Sequence, residues 1–149
     1  MTSPRDNHAP TSDATQEFVD VLVQTSFEVI AIVTRVGAEH DLSLTLVRML
    51  GILRDRTLTM AQLADYLGLE RSTVSGLVDR AERRNLVTRT ASASDRRSIQ
   101  LSLSDAGQAL AHGAVGTVSE RLTPIVQKLS PEVRRALPAL LGELHAGRR

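Results

Sequence analysis

The sequence predicts a mainly α-helical protein with one small β-hairpin. Apolar residues recur at helical spacing in six segments, whereas between residues 87 and 103 they alternate with polar residues as in a strand. The chain has 149 residues, 42% of them hydrophobic, which is enough to bury one core. It contains no cysteine, which excludes disulfides, thiolate zinc sites, cysteine nucleophiles and thiol-based redox sensing.

The N-terminal part divides into a tail and two helices. Residues 1–16 are polar, aperiodic and contain proline, so they are predicted to be a disordered tail. A long amphipathic helix is predicted over residues 18–38, ending near Gly37, and a second over residues 43–56. No uninterrupted apolar run approaches the roughly 18 residues that a membrane span needs, and a signal-peptide core is absent. We therefore expect a soluble, cytoplasmic protein with no membrane partner.

Two short helices follow, separated by a glycine turn. Thr59 and Gln62 have the spacing of a capping box, in which each side chain binds a free N–H group near the other. Gly68 ends that helix, and apolar spacing resumes in a helix over residues 71–84. Asn85 then suits the left-handed conformation that ends many helices.

The hairpin comes next. Residues 87–90 and 99–103 are predicted as its two strands, joined by the polar loop ASASDRRS. Its tip is therefore long and charged.

Two more helices complete the chain. Ser104 caps the first, in which Pro124 should produce a kink. The sequence Ser-Pro-Glu at residues 130–132 opens the last helix, which should extend to about Leu144 with an interruption at Pro138.

Charge is distributed unevenly along the chain. The formal net charge is only +1, which by itself disfavours a nucleic-acid partner. Residues 1–47 carry two arginines against seven acidic residues, whereas residues 71–97 carry seven arginines against three acidic residues. A basic segment of this kind is typical of a phosphate-binding surface, although a solvated helical face would have the same composition.

The order of these elements is that of a winged helix-turn-helix, and the helix over residues 71–84 is its candidate DNA-reading helix. Such a helix must bury one side and present small, hydrogen-bonding or basic side chains to the major groove. The face opposite the apolar stripe contains Ser72, Gly76, Asp79 and Arg83, flanked by Thr73, Ser75 and Arg80. Arginine at a hairpin tip is well placed for the minor groove.

Residues 58–107 resemble the core of the MarR family of bacterial transcription regulators. The resemblance rests on STVSGLVDR in the fourth helix, NLVTR entering the wing and DRRSIQLSLSDAG leaving it, where Asp95 and Arg97 match the family's wing-tip pair. It extends more loosely over residues 17–145. Gly76, Glu70 and Asn85 depart from residues that are usual in the family.

The resemblance implies a homodimeric, sequence-specific DNA-binding regulator, most simply a repressor of a pseudo-palindromic operator. It implies that residues 17–42 and 104–149 form a helical dimerisation region and that residues 43–103 form the DNA-binding domain. It also implies a small aromatic or lipophilic effector, for which we expect a pocket between the helices over residues 18–38 and 43–56. The candidate DNA-binding residues are Arg71, Ser72, Thr73, Ser75, Arg80, Arg83, Asp95, Arg96 and Arg97.

Other interpretations remain open. The chain could be a winged-helix protein-interaction module that does not bind DNA. Asp79 could pair with Arg83 four residues later, and Arg84 could be a solvated helix end. Arg89 could contact phosphate or merely solubilise a strand face, and Arg97 could bridge to Asp95.

The sequence offers no catalytic or metal-binding arrangement. It has no phosphate-binding glycine loop and no Ser/His/Asp set in a strand-turn-helix context. The four histidines stand on separate elements without ligand spacing. We expect neither an enzyme nor a metal or other cofactor.

Overall fold

The computed structural model describes residues 13–91 and 98–144. It confirms the fold class: six helices and three short strands occupy these residues. The elements are α1 Asp13–Ala38, α2 Leu44–Leu53, β1 Leu58–Thr59, α3 Met60–Leu67, α4 Arg71–Arg83, β2 Val87–Ala91, β3 Ile99–Leu103, α5 Asp105–Val126 and α6 Pro131–Glu143.

The hydrophobic core lies among α2, α3, α4, the sheet and the start of α5. Its largest fully buried side chains include Met49, Leu53, Leu63, Val74 and Leu101. Burial of each such side chain contributes roughly 1.5–3 kcal/mol. The apolar stripe of α4 therefore anchors that helix and fixes which of its faces points outward.

Local capping interactions set the helix ends as predicted. The Thr59 hydroxyl accepts a hydrogen bond from the Gln62 backbone, and the Gln62 side chain accepts one from the Thr59 backbone. Gly68 and Asn85 have left-handed φ angles of 68° and 54°. The pKa of Glu132, at the start of α6, is lowered. The main cause is a hydrogen bond from the Glu132 backbone N–H to its carboxylate, and the second is a hydrogen bond from the Ser130 side chain.

The sheet has one strand more than the sequence predicts. The strand order is β1-β3-β2, and both pairings are antiparallel. Leu58 of β1 faces Leu101 of β3, which in turn faces Arg89 of β2. The hairpin prediction is confirmed, whereas β1 was missed.

Two predicted boundaries are wrong. Helix α1 already includes Asp13, the first described residue, and so extends into the predicted tail; an acidic residue in a first turn favours a helix through its dipole. Helix α6 continues through Pro138, because a proline removes one backbone hydrogen bond while the other turns remain bonded. The kink at Pro124, two residues before the end of α5, stays a prediction.

Helix α1 is longer and more apolar than a search for uninterrupted runs suggests. An 18-residue window within it has a mean hydropathy of 1.5 and no more than two charged residues, so by length and composition it could cross a membrane. A helix that packs against protein can have the same composition, so one such helix is weak evidence of a membrane span. The described residues form two compact units, one up to residue 31 and the other from residue 32 onward.

Candidate nucleic-acid interface

Helix α4 presents a polar face to solvent. Its buried stripe consists of Val74, Leu77, Val78 and Ala81. The structure places six of the nine predicted site residues on the remaining surface. Arg71, Ser72, Thr73, Arg80 and Arg83 are exposed, and Ser75 is partly exposed.

The first turn of α4 has no side-chain cap. Glu70 occupies the N-cap position, but its carboxylate accepts no hydrogen bond from the helix backbone. The partial positive charge of a helix N-terminus favours an anion. The hydroxyls of Ser72 and Thr73 lie in this turn, so the turn combines N–H and O–H donors.

Gly76 leaves space on this face. A Cβ atom added there would have one neighbour within 4 Å, the Arg80 Nη1 atom at 3.7 Å. A side chain would therefore fit, and its absence lets the backbone approach a ligand surface closely.

The pairing of Asp79 differs from the sequence interpretation. Its carboxylate pairs with the Arg89 guanidinium rather than with Arg83, and Arg89 Nε also lies 3.6 Å from a Glu82 carboxylate oxygen. The Arg89 guanidinium thus pairs with two carboxylates of α4. It ties strand β2 to helix α4 and neutralises a carboxylate beside the exposed face.

Arg84 is exposed at the end of α4, but its guanidinium also binds the chain between α1 and α2. Its Nη1 donates to the Asp41 carbonyl at 2.7 Å and its Nη2 to the His40 carbonyl at 2.9 Å. These contacts join residues more than 40 positions apart, so helical periodicity gave no sign of them.

The base of the wing is fixed by a cluster of backbone and hydroxyl contacts. The Ser104 hydroxyl donates to the Asn85 carbonyl at 2.6 Å and accepts from Gly107 N at 3.0 Å. Ser104 N donates to the Leu86 carbonyl at 3.1 Å. Gly107 approaches so closely that an added Cβ would lie 2.0 Å from the Leu86 oxygen. Gly107 lies within the motif that leaves the wing, but nothing in its local sequence signals this contact.

The wing tip carries the remaining predicted site residues. Asp95, Arg96 and Arg97 lie outside the described residues. Strands β2 and β3 bracket them from Ala91 to Ile99.

An apolar cavity of about 170 Å³ lies within residues 32–149. The predicted pair of helices contributes to it, and α5 contributes a third wall that was not predicted. Its lining residues are Val33, Leu42, Val47, Leu50, Gly51, Ala111, Ala114, Val115 and Val118.

Comparison with known proteins finds one family to which part of the chain is similar. A model of the MarR family matches residues 40–98, which include α2, α3, α4 and β2. Residues 40–98 are therefore similar to the MarR family. An uncharacterized HTH-type transcriptional regulator of Bacillus subtilis (strain 168), YfiV, is similar to it, with 30% identity over 98 residues. That match covers 65% of this chain and 61% of YfiV.

Solved structures show that the fold is that of a MarR-type winged helix. NadR in complex with 4-hydroxyphenylacetate has a TM-score of 0.73 and 24% identity, covering 96% of this chain and 97% of NadR. A mutant of Staphylococcus aureus MepR bound to an oligodeoxyribonucleotide has a TM-score of 0.62 and 23% identity, covering 89% of this chain and 98% of that one.

Proposed function

We propose that this protein is a sequence-specific DNA-binding transcription regulator that inserts α4 into the major groove. The observation that carries the proposal is the face of α4, which has no large apolar residue and exposes arginines and hydroxyls above a fully buried stripe. The similarity of residues 40–98 to the MarR family supports it. The family and fold are those of regulators, and we propose no enzymatic activity.

The residues of this face suit different parts of a duplex. Arg80 and Arg83 can reach a guanine edge or a phosphate, because their guanidinium groups carry no described ion pair. Arg71 and the hydroxyls of Ser72, Thr73 and Ser75 suit phosphate oxygens near the helix start. In the wing, we propose that Arg97 enters the minor groove, with Asp95 and Arg96 beside it.

We further propose a homodimer formed by residues 17–42 and 104–149, with residues 43–103 as the DNA-binding domain. Exposed apolar side chains on these helices support it: Phe18 is 53% exposed, Phe27 67% and Leu140 56%. A two-fold dimer predicts a pseudo-palindromic operator with half-sites about one helical turn apart.

Salt dependence of DNA affinity tests the proposal. A duplex selected from a random pool should bind with log K falling by several units per log[salt], because bound arginines release phosphate counterions. Arg97→Ala should flatten the slope by about one unit per wing. If selection returns no duplex, or the affinity is weak and insensitive to salt, the regulator proposal fails.

A protein-interaction module is the second candidate, favoured by the same arginines if their partner is an acidic protein. Such a module would bind duplexes of different sequence with the same affinity. Competition with unrelated duplex DNA at fixed salt separates the two, because only a sequence-specific regulator retains the selected duplex.

We also propose control by a small apolar effector, most simply relief of repression in the cytoplasm. The cavity is lined by aliphatic side chains and glycine, so it suits an uncharged aromatic or lipophilic group better than a carboxylate. A compound that fills the cavity should raise Tm and weaken operator binding together. A panel in which no compound does both would contradict effector control.

A further inference from the structure

Arg84 stands apart from the other exposed arginines of α4, because both ends of its guanidinium group are occupied by backbone carbonyls. The acceptors belong to His40 and Asp41, in the corner between α1 and α2. A planar guanidinium holds two acceptors in a fixed geometry, which a lysine cannot reproduce.

The corner that Arg84 holds is itself tightly packed. Leu42 N donates to the Gly37 carbonyl at 2.9 Å, and Asp41 has a left-handed φ of 55°. A Cβ at Gly37 would lie 2.7 Å from Val47 Cγ2 and 2.9 Å from the Leu42 oxygen. On another side, Arg121 of α5 binds the Glu39 carboxylate at 2.6 and 2.9 Å.

The same corner forms part of the cavity wall. Leu42 and Val47 line the cavity, and Leu42 directly follows the carbonyl that Arg84 binds most closely. A change in how Leu42 packs would therefore move the Asp41 carbonyl, to which Arg84 at the end of α4 donates a hydrogen bond.

We propose that Arg84 is a positioning residue that couples occupancy of the apolar cavity to the C-terminal turn of the DNA-reading helix. Filling the cavity fixes Leu42, which fixes the carbonyls of residues 40 and 41 and, through Arg84, the end of α4. This inference rests on the proposed function for its consequence on DNA, but the coupling itself is a property of the free protein.

The test fills the cavity by mutation, so that no effector need be known. Gly51 lines the cavity and is exposed, and a Cβ there meets nothing within 4 Å, so Gly51→Leu adds an apolar side chain at the edge of the cavity without a clash. Gly113→Leu is the matched control, because Gly113 has equal space on α5 without lining the cavity. Both changes raise helix propensity.

Hydrogen exchange in the DNA-free protein gives the readout. In the otherwise unchanged chain, Gly51→Leu should slow exchange of the Arg84, Asn85 and Leu86 amides by about threefold or more, whereas Gly113→Leu should not. In an Arg84→Ala background, Gly51→Leu should not change the exchange rates of these amides. In an Arg84→Lys background, the slowing should be intermediate. The lysine variant preserves the charge and serves if the alanine variant does not fold. Equal slowing with and without Arg84 would overturn the proposal.

DNA binding provides a second, separable readout. Arg84→Ala should weaken operator binding without changing the salt slope, whereas Arg83→Ala should reduce the slope by about one unit per subunit. A reduced slope for Arg84→Ala would mean that Arg84 contacts phosphate, and the positioning role would be wrong. If no variant binds DNA but the exchange coupling persists, the proposed function fails and the coupling through Arg84 stands.

Discussion

Replacing Gly107 by alanine is expected to lower the free energy of unfolding by about 3 kcal/mol, the upper end of the usual cost of overpacking. The added Cβ would lie 2.0 Å from the Leu86 oxygen and 2.9 Å from the Leu86 carbonyl carbon. Both are backbone atoms, so no side-chain rotation relieves the clash. The start of α5 would have to separate from the chain between α4 and β2.

The same displacement would strain the Ser104 contacts. Its hydroxyl binds Asn85 on one side and Gly107 on the other, so it cannot follow both as they separate. Urea denaturation measures the effect. Gly113→Ala is the matched control in the same helix, where the new methyl meets nothing within 4 Å. That control should be neutral or stabilising by up to about 1 kcal/mol. Equal stability of the Gly107 and Gly113 variants would refute the packing at the base of the wing.

Replacing Arg89 by alanine is expected to weaken operator binding about 10- to 100-fold, an effect of roughly 1–3 kcal/mol. Arg89 neutralises Asp79, which lies beside the exposed face of α4. Without it, a carboxylate remains unpaired next to DNA phosphates. Strand β2 also loses its ion pairs to α4, through Asp79 and Glu82, so the wing is less firmly oriented.

A second substitution separates these effects from a direct contact. Asp79→Asn in the Arg89→Ala background should recover part of the lost affinity, because it removes the unpaired charge. Arg135→Ala serves as the charge-matched control, since Arg135 lies on α6 and pairs with Glu132. Fluorescence anisotropy over a series of salt concentrations measures the affinity and the salt slope of all four proteins. If Asp79→Asn recovers nothing and Arg89→Ala flattens the salt slope, Arg89 is a phosphate contact instead.

Most of the fold could be predicted because its signals are local. The apolar stripe of α4, the capping box at Thr59 and the left-handed Asn85 each act within about one helical turn. Strand β1 has no such signal. It consists of Leu58 and Thr59, and two residues are too few to show periodicity. They form a strand because they pair with the free edge of β3.

The candidate site was predictable to the same degree. Exposure of the α4 arginines and hydroxyls follows from helical geometry, whereas the partners of Arg84 and Arg89 do not. Sequence spacing predicted an Asp79–Arg83 pair because spacing identifies only pairs within one helix. The position of β2 in the sheet brings Arg89 to the same carboxylate, so the ion pair links β2 to α4.

Protection of guanine N7 atoms in the selected duplex tests whether the exposed face of α4 lies in the major groove. The N7 atom faces only the major groove. We expect two protected clusters about one helical turn apart, with guanines in each losing protection when Arg80 is replaced by alanine. Tight binding of the duplex with its N7 atoms fully reactive, or protection unaffected by changes on α4, would contradict it.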